Sequence, residues 1–286
     1  MTRDDGTIDV ERDGRVARVV LNRPDKRNAL TGPMLDALYA AMAELGGDDD
    51  VRVIVIKGRG PSFCAGADFD WVADNYLDVS PEADRREILN IALSLFHAIW
   101  ECPKPTILQV QGHCVAVGCY FLGFSDVVIA DEDALFGSPE SRSFGIEPSL
   151  GLWPFTIGPR WTKAMLYTGD LIDGRTAERI GMVNRAVPGA ELEEYVEWLA
   201  HRIAKVDREI LTLHKQAVNN VYEIMGMYPI LKSGIYFDHM EHMSVNWTEF
   251  LTRMRKDGLK AALDWRDREW GGGERVEASR LSDPRP

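Results

Sequence analysis

Two stretches of small residues, each set just after a run of branched apolar residues, fix the terms on which this chain can fold. The first run, residues 53–56, reads Val-Ile-Val-Ile and is apolar at every position. A strand apolar on both faces belongs in a sheet that is covered on both sides. Beyond a glycine-rich turn, Lys57-Gly58-Arg59-Gly60-Pro61, lies Phe63-Cys64-Ala65-Gly66-Ala67-Asp68. The second run, residues 106–110, ends at Gly112 and leads into His113-Cys114-Val115-Ala116-Val117-Gly118-Cys119-Tyr120-Phe121. Small side chains leave backbone N–H groups unscreened, and such groups can form a concave donor site for an anion. Taken alone, either stretch reads equally well as a tight turn beneath a packed core.

The remaining pattern alternates strands with helices. Residues 8–11 and 15–21 make a hairpin about Asp13-Gly14. Thr31 caps a helix with Pro33 in its first turn, apolar at Met34, Leu35, Leu38, Met42 and Leu45, and stopped by Gly46-Gly47. Residues 69–83 are acidic and aromatic (Phe69, Trp71, Tyr76) with no clear period. A helix is expected over 83–100, with Ile88, Ile91, Leu95 and Ile99 on one stripe, and a fourth strand over 125–130. Phe136-Gly137-Ser138-Pro139-Glu140 reads as a polar turn, and 141–158 as a loop with a short helix. Helices follow at 159–168 and after Asp173-Gly174. This alternation argues for an α/β class with parallel pairing.

From residue 191 the chain is helical, with amphipathic stripes at Leu192, Tyr195, Val196, Leu199 and Ile203, then at Ile210, Leu213, Ala217 and Val221. The expected division is a core over 1–190, a helical region over 191–270, and a loose polar tail over 271–286.

The balance of 33 basic and 45 acidic residues, net charge -12, argues against sequence-independent nucleic-acid binding. It leaves room for a phosphorylated ligand held by a few local cations. The four cysteines lack the paired spacing of a zinc site. No apolar run is long enough to span a bilayer, and no signal segment opens the chain. A cytoplasmic location with free thiols is the natural expectation.

The ordered set Asn22-Arg23-Pro24 with Asn28-Ala29-Leu30, Phe63 to Asp68, Gln111-Gly112 with Gly118-Cys119, Ser125-Asp126, Phe136-Gly137-Ser138-Pro139-Glu140, Thr168-Gly169 and Ala177-Glu178-Arg179-Ile180-Gly181-Met182-Val183-Asn184 resembles the crotonase (enoyl-CoA hydratase/isomerase) superfamily across roughly residues 8–265. The resemblance implies a superhelix of ββα units packed as nearly perpendicular sheets. It implies a helical C-terminal region that builds trimers, which commonly pair into hexamers. It also implies an acyl-CoA thioester as substrate, and no metal or redox cofactor.

Carried over, the resemblance makes the N–H of Ala67 and the N–H of Val117 a pair of oxyanion donors. Such chains usually carry Gly-Gly-Gly where this one has Ala116-Val117-Gly118. A backbone donor does not require glycine, although valine narrows the space beside it. Lys26, Ala29, Ala65, Ala67, Asp68 and Phe69, within the run to Asp70, are expected to line the coenzyme A region. Lys26 or Arg27 suits the phosphates.

Hydratases of this kind usually have two glutamates. One is retained as Glu140, the implied proton carrier, against a plainer reading as a surface carboxylate. The other position holds Tyr120, whose hydroxyl could orient water but which reads better as a core aromatic, since a phenol is a poor base. Glu147 reads as a solvated loop residue, with substitution for the missing base as the alternative. Cys64 reads as a small buried thiol rather than a nucleophile. His239 and His242 share a helix face and read as solvated rather than as metal ligands. Trp153-Pro154-Phe155 and the aromatics of 69–76 either wall an acyl pocket or only pack. The expectation is therefore an enoyl-CoA hydratase-like lyase. Enoyl-CoA isomerisation, acyl-CoA hydrolysis and a non-catalytic acyl-CoA-binding oligomer are the alternatives.

Overall fold

A computed structural model describes residues 7–76, 79–143, 152–270 and 279–282, with side chains for all of these except 87–92. Strands β1 (Ile8–Asp13) and β2 (Val16–Leu21) form the expected antiparallel hairpin. Helix α1 (Gly32–Gly47) starts where Thr31 accepts from the Met34 N–H at 3.4 Å. Strand β3 (Val53–Gly58) pairs parallel with β2.

Helices α2 (Phe69–Tyr76) and α3 (Pro81–Ile99) follow. The first corrects the aperiodic reading of that segment. Asp68 caps it by accepting from the Trp71 N–H at 3.1 Å, and Trp71 and Tyr76 stack edge to face within it. Its apolar positions, Phe69, Val72, Ala73 and Tyr76, do keep helical spacing, but over only two turns and among acidic neighbours. Ser80 caps α3 through the Ala83 N–H. Its Ile88 and Ile91 side chains lie outside the described set.

Strand β4 (Thr106–Val110) lies parallel to β3. Strand β5 (His113–Val115), helix α4 (Tyr120–Phe124), strand β6 (Val127–Asp131) and strand β7 (Leu135–Gly137) come next. Helices α5 (Trp153–Thr156) and α6 (Gly158–Thr168), strand β8 (Ile172–Asp173), helix α7 (Gly174–Ile180) and strand β9 (Arg185–Val187) complete the strand-bearing part. The described residues give a six-stranded sheet ordered β1-β2-β3-β4-β6-β9 and a three-stranded sheet ordered β5-β7-β8. From β2 to β9 the large sheet is parallel.

Strand β3 shows why its sequence carries no polar face. Ile54 and Ile56 join the main core with Met34, Leu38 and Met42 of α1. Val53 and Val55 join a second core with Val16, Ile107 and Ile129, roofed by Leu192, Val196 and Ala200. That roof is helix α8 (Leu192–Ile203), so the helical region expected from residue 191 opens with a helix that belongs to the sheet.

Helices α9 (Arg208–Ile224), α10 (Met227–His242), α11 (Val245–Asp257) and α12 (Leu259–Arg266) complete the fold. Helix α11 returns to α2, burying Trp247, Phe250 and Leu251 against Val72, Ala73 and Tyr76. Of the aromatics of 69–76, Trp71 and Tyr76 thus pack among these helices. The loose-tail expectation fails for residues 279–282. Ser279 donates its N–H to the Leu171 carbonyl at 2.9 Å, and the Ser282 hydroxyl accepts from the Asp173 N–H at 2.9 Å.

Candidate active site

The two small-residue stretches run side by side. Cys64 donates its N–H to the His113 carbonyl at 2.8 Å, and its carbonyl accepts from the Val115 N–H at 3.1 Å. On the other flank, Leu30 donates to the Gly66 carbonyl and accepts from the Asp68 N–H, each at 2.8 Å. Ala67 sits between those two bonds, and its own N–H has no partner among the described residues.

Gly66 holds φ +97° and presses on the second stretch. A methyl placed on it would lie 2.8 Å from the Ala116 Cβ. Ala116 itself holds φ +54°, a left-handed conformation uncommon for a residue with a Cβ. It opens a single 3-10 turn, Ala116–Cys119, in which Val117 is second. The opening N–H groups of such a turn find no acceptor within it. Val117 is half-buried, its side chain resting on the core.

The carboxylate arrives by register. Strands β5 and β7 are parallel, with Val115 level with Gly137, so the turn after each strand leaves the same edge. The turn after β7, Pro139–Arg142, carries Glu140. This segment reads as polar in sequence yet is buried: Ser138 is fully enclosed and Glu140 is 8 % exposed.

Glu140 Oε1 accepts from the Ser138 hydroxyl at 2.6 Å, while its buried Oε2 has no partner among the described residues. Burial pushes its pKa up to about 7; the Ser138 bond, its own N–H and Arg266 oppose that rise, and Asp238 adds to it. A carboxyl poised there can both give and take a proton at neutral pH.

These groups border a cavity of about 930 Å³. Ala67, Ala116 and Glu140 line it, as do Lys26, Ala29, Ala65, Asp68 and Phe69. The last five differ in character. Lys26 is exposed and paired with Asp70 at 3.0 Å, which leaves it at the mouth. Asp68 is buried, ion-paired with Arg23 at 2.9 Å while it caps α2, so it shapes the wall. Arg23 also donates to the Ala29 carbonyl at 2.6 Å. Phe69 rests its ring 5.1 Å from that of Phe250.

The bend that presents Lys26 and Ala29 is set by Arg27 and Asn28, both at positive φ. Asn28 is fully buried, bonding the Arg23 N–H and the Arg59 and Ser62 carbonyls.

Tyr120 lies in the main core and is not among the cavity-lining residues. Trp153 is likewise core. Cys64 is wholly buried, and burial pushes its thiol up to about 12, which makes it unreactive. Glu147 lies outside the described residues. The solvated reading of His239 and His242 is overturned: both side chains are largely buried, and both Nδ1 atoms bond Asp84, at 2.7 and 2.9 Å.

Two cavity elements escape sequence reasoning. His113 faces it with Nδ1 3.1 Å from the Ser62 hydroxyl, and burial with nearby Arg27 depresses its pKa. Helix α12 forms a wall through Leu259, Leu263 and Arg266. Arg266 grips Asp267 through Nε and a terminal nitrogen, at 2.9 and 2.8 Å. Arg142, two residues past Glu140, reaches Asp267 at 3.4 Å and Asp170 at 3.0 Å. No local sequence signal connects positions so far apart.

Known proteins share this fold. The family model described as enoyl-CoA hydratase/isomerase matches residues 11–271. A crotonyl-CoA hydratase of Syntrophomonas wolfei is 31% identical over 267 residues, covering 91% of this chain and 95% of the relative. A solved enoyl-CoA hydratase/isomerase of Xanthobacter autotrophicus Py2 is 34% identical with TM-score 0.87, covering 92% of this chain and 98% of that one. An enoyl-CoA hydratase structure from Mycobacterium smegmatis is 30% identical with TM-score 0.87, covering 96% and 97%.

Proposed function

The chain belongs to the enoyl-CoA hydratase/isomerase family, and from that premise we propose how its own residues carry an enoyl-CoA hydratase-like reaction. The thioester carbonyl oxygen sits between the N–H groups of Ala67 and Val117. Addition of water at the β-carbon pushes electrons onto that oxygen, and the two donors stabilise the enolate. Glu140 takes a proton from the water as its C–O bond forms. The same carboxyl then returns a proton to the α-carbon as the enolate collapses, so the glutamate ends as it began.

The observation that carries this reading is the buried Oε2 of Glu140, which has no partner among the described residues and lies in the cavity that the two touching turns line. The reaction is redox-neutral. The reading needs no metal or redox cofactor, coenzyme A being part of the substrate.

The core position of Tyr120 favours a second reading within the same site. A lone carboxyl suits a 1,3-proton shift, in which one group lifts a proton from C2 and delivers it to C4 of a 3-enoyl thioester. Mixing the protein with crotonyl-CoA and following loss of the conjugated thioester absorbance tests hydration. A gain of that absorbance from a 3-enoyl-CoA tests isomerisation. Turnover of either substrate that disappears in Glu140→Gln supports the site. Turnover undiminished in that variant overturns it.

The assembly follows from the C-terminal helices. Leu213, Val221 and Ile224 of α9 and Phe237 and Met240 of α10 are exposed apolar residues. We read this face as the contact of a homotrimer, which can pair into a hexamer, with residues 1–190 as the catalytic unit. Among the described residues no helix is long and apolar enough to cross a membrane. The four cysteines are free and buried, which suits a reducing compartment such as the cytoplasm.

A further inference from the structure

Helix α12 lays a stripe of side chains along the cavity. Leu259, Leu263 and Arg266 follow helical spacing on one face, and all three line it. The stripe runs from exposed to buried: Leu259 is 40 % exposed and Arg266 5 %. The ion pairs Lys26–Asp70 and Lys260–Asp264, at 3.0 and 2.6 Å, stand at the exposed end. Arg266 and Asp267 stand with Glu140 among the buried lining residues.

The Arg266 guanidinium is only partly used. Its Nε and Nη2 form one fork on Asp267, at 2.9 and 2.8 Å. Its Nη1 has no acceptor among the described residues, and no ion pair among them joins it to Glu140. The Nη1–Nη2 edge is therefore open. That edge presents two parallel donors, the pattern that fits a carboxylate. The charges agree. Asp267 also pairs with Arg142 at 3.4 Å, so one buried anion faces two cations. The second partner of Arg142, Asp170, is the more exposed of its two carboxylates. A buried cation with unmet donors favours an incoming acceptor.

We propose that Arg266 is a specificity-determining residue: the acyl group taken by this site carries a carboxylate at the end away from the thioester, and that carboxylate binds the open edge of the guanidinium. The substrate class is an ω-carboxy acyl-CoA rather than a plain alkyl one. Leu135 and Leu171 supply apolar wall for the methylenes between the two ends. This deepens the reading of the cavity as the acyl-CoA site and rests on it. Arg266 takes no part in the proton transfer assigned to Glu140.

The test is calorimetric binding of saturated acyl-CoAs, which have no double bond to hydrate or shift. Glutaryl-CoA is compared with pentanoyl-CoA, and adipyl-CoA with hexanoyl-CoA, each pair equal in carbon number. At one length or both, the carboxylated ligand should bind roughly tenfold tighter or more, as a charge-assisted fork provides. In Arg266→Gln that ratio should fall to about one or below. In Arg266→Lys, which keeps the charge and loses the fork, it should fall below the parent's. A role confined to holding Asp267 would weaken both members of a pair alike and leave the ratio unmoved.

The proposal is overturned if the parent binds the alkyl ligand as tightly as its carboxylated partner at both lengths, or if the ratio survives in Arg266→Gln. Should Arg266→Gln not fold, the parent's ratios and Arg266→Lys decide. Turnover in Glu140→Gln separates this from the catalytic reading. A carboxylate preference in the parent, beside undiminished turnover in Glu140→Gln, leaves Arg266 as described and overturns the proton role of Glu140 alone.

Discussion

Gly66 and Ala116, fifty positions apart, touch: the glycine leaves no room for a methyl, which would lie 2.8 Å from the alanine's own Cβ. Both residues adopt left-handed backbone. Their contact brings together the two turns that carry Ala67 and Val117.

Gly66→Ala therefore meets two penalties, a clash with Ala116 and a Cβ at φ +97°. Steady-state kinetics should show turnover reduced by roughly 10²-fold, the cost of misplacing one oxyanion donor. Ala116→Gly relieves about as much strain as it adds in chain entropy. Its melting temperature should match the parent, and its turnover should persist.

Glu140 predicts an unusual stability profile. Its folded pKa, about 7, is raised above the ordinary 4.5 by burial. The stability it contributes is fully present below the unfolded value and is lost as pH climbs through the folded one. The loss at completion is on the order of 3 kcal/mol. Glu140→Gln should thus unfold at higher temperature than the parent at pH 8, with no advantage near pH 4, when both are followed by calorimetry.

Arg142 links the turn that carries Glu140 to Asp170 and to Asp267 beyond α12. Arg142→Gln leaves a buried carboxylate at Asp267 with Arg266 alone. Denaturant unfolding should show a loss of about 3 kcal/mol. The acyl-CoA KM should rise as α12 loosens from the cavity it walls.

The exposed apolar face of α9 and α10 supplies a test of assembly. Light scattering should give a trimer or hexamer for the parent. The double variant Ile224→Asp, Met240→Asp should give monomers. A monomeric parent contradicts the trimer.

Much of the candidate site's backbone was legible in the chain because its parts are local. Phe63 to Asp68 and His113 to Tyr120 each announce a turn by their own small side chains. Glu140 stands three residues beyond Gly137, whose strand register carries it to the same edge. The wall formed by Arg266 was not legible, since a helix's own spacing says nothing of the cavity it returns to. His239 and His242 were misread for the same reason. Their partner Asp84 lies 155 and 158 positions earlier. Helix α2 was hidden because its stripe of Phe69, Val72, Ala73 and Tyr76 spans only two turns, and its stability comes from packing on α11.

The central claim is that the Ala67 and Val117 amides stabilise a thioester enolate while Glu140 moves its proton. Butyryl-CoA, which has no double bond to hydrate or shift, tests that step alone. In deuterium oxide the protein should exchange the α-hydrogens of butyryl-CoA for deuterium, as followed by proton NMR, and Glu140→Gln should bind the ligand without exchanging it. Absence of exchange with the parent protein, or equal exchange with the variant, contradicts the account.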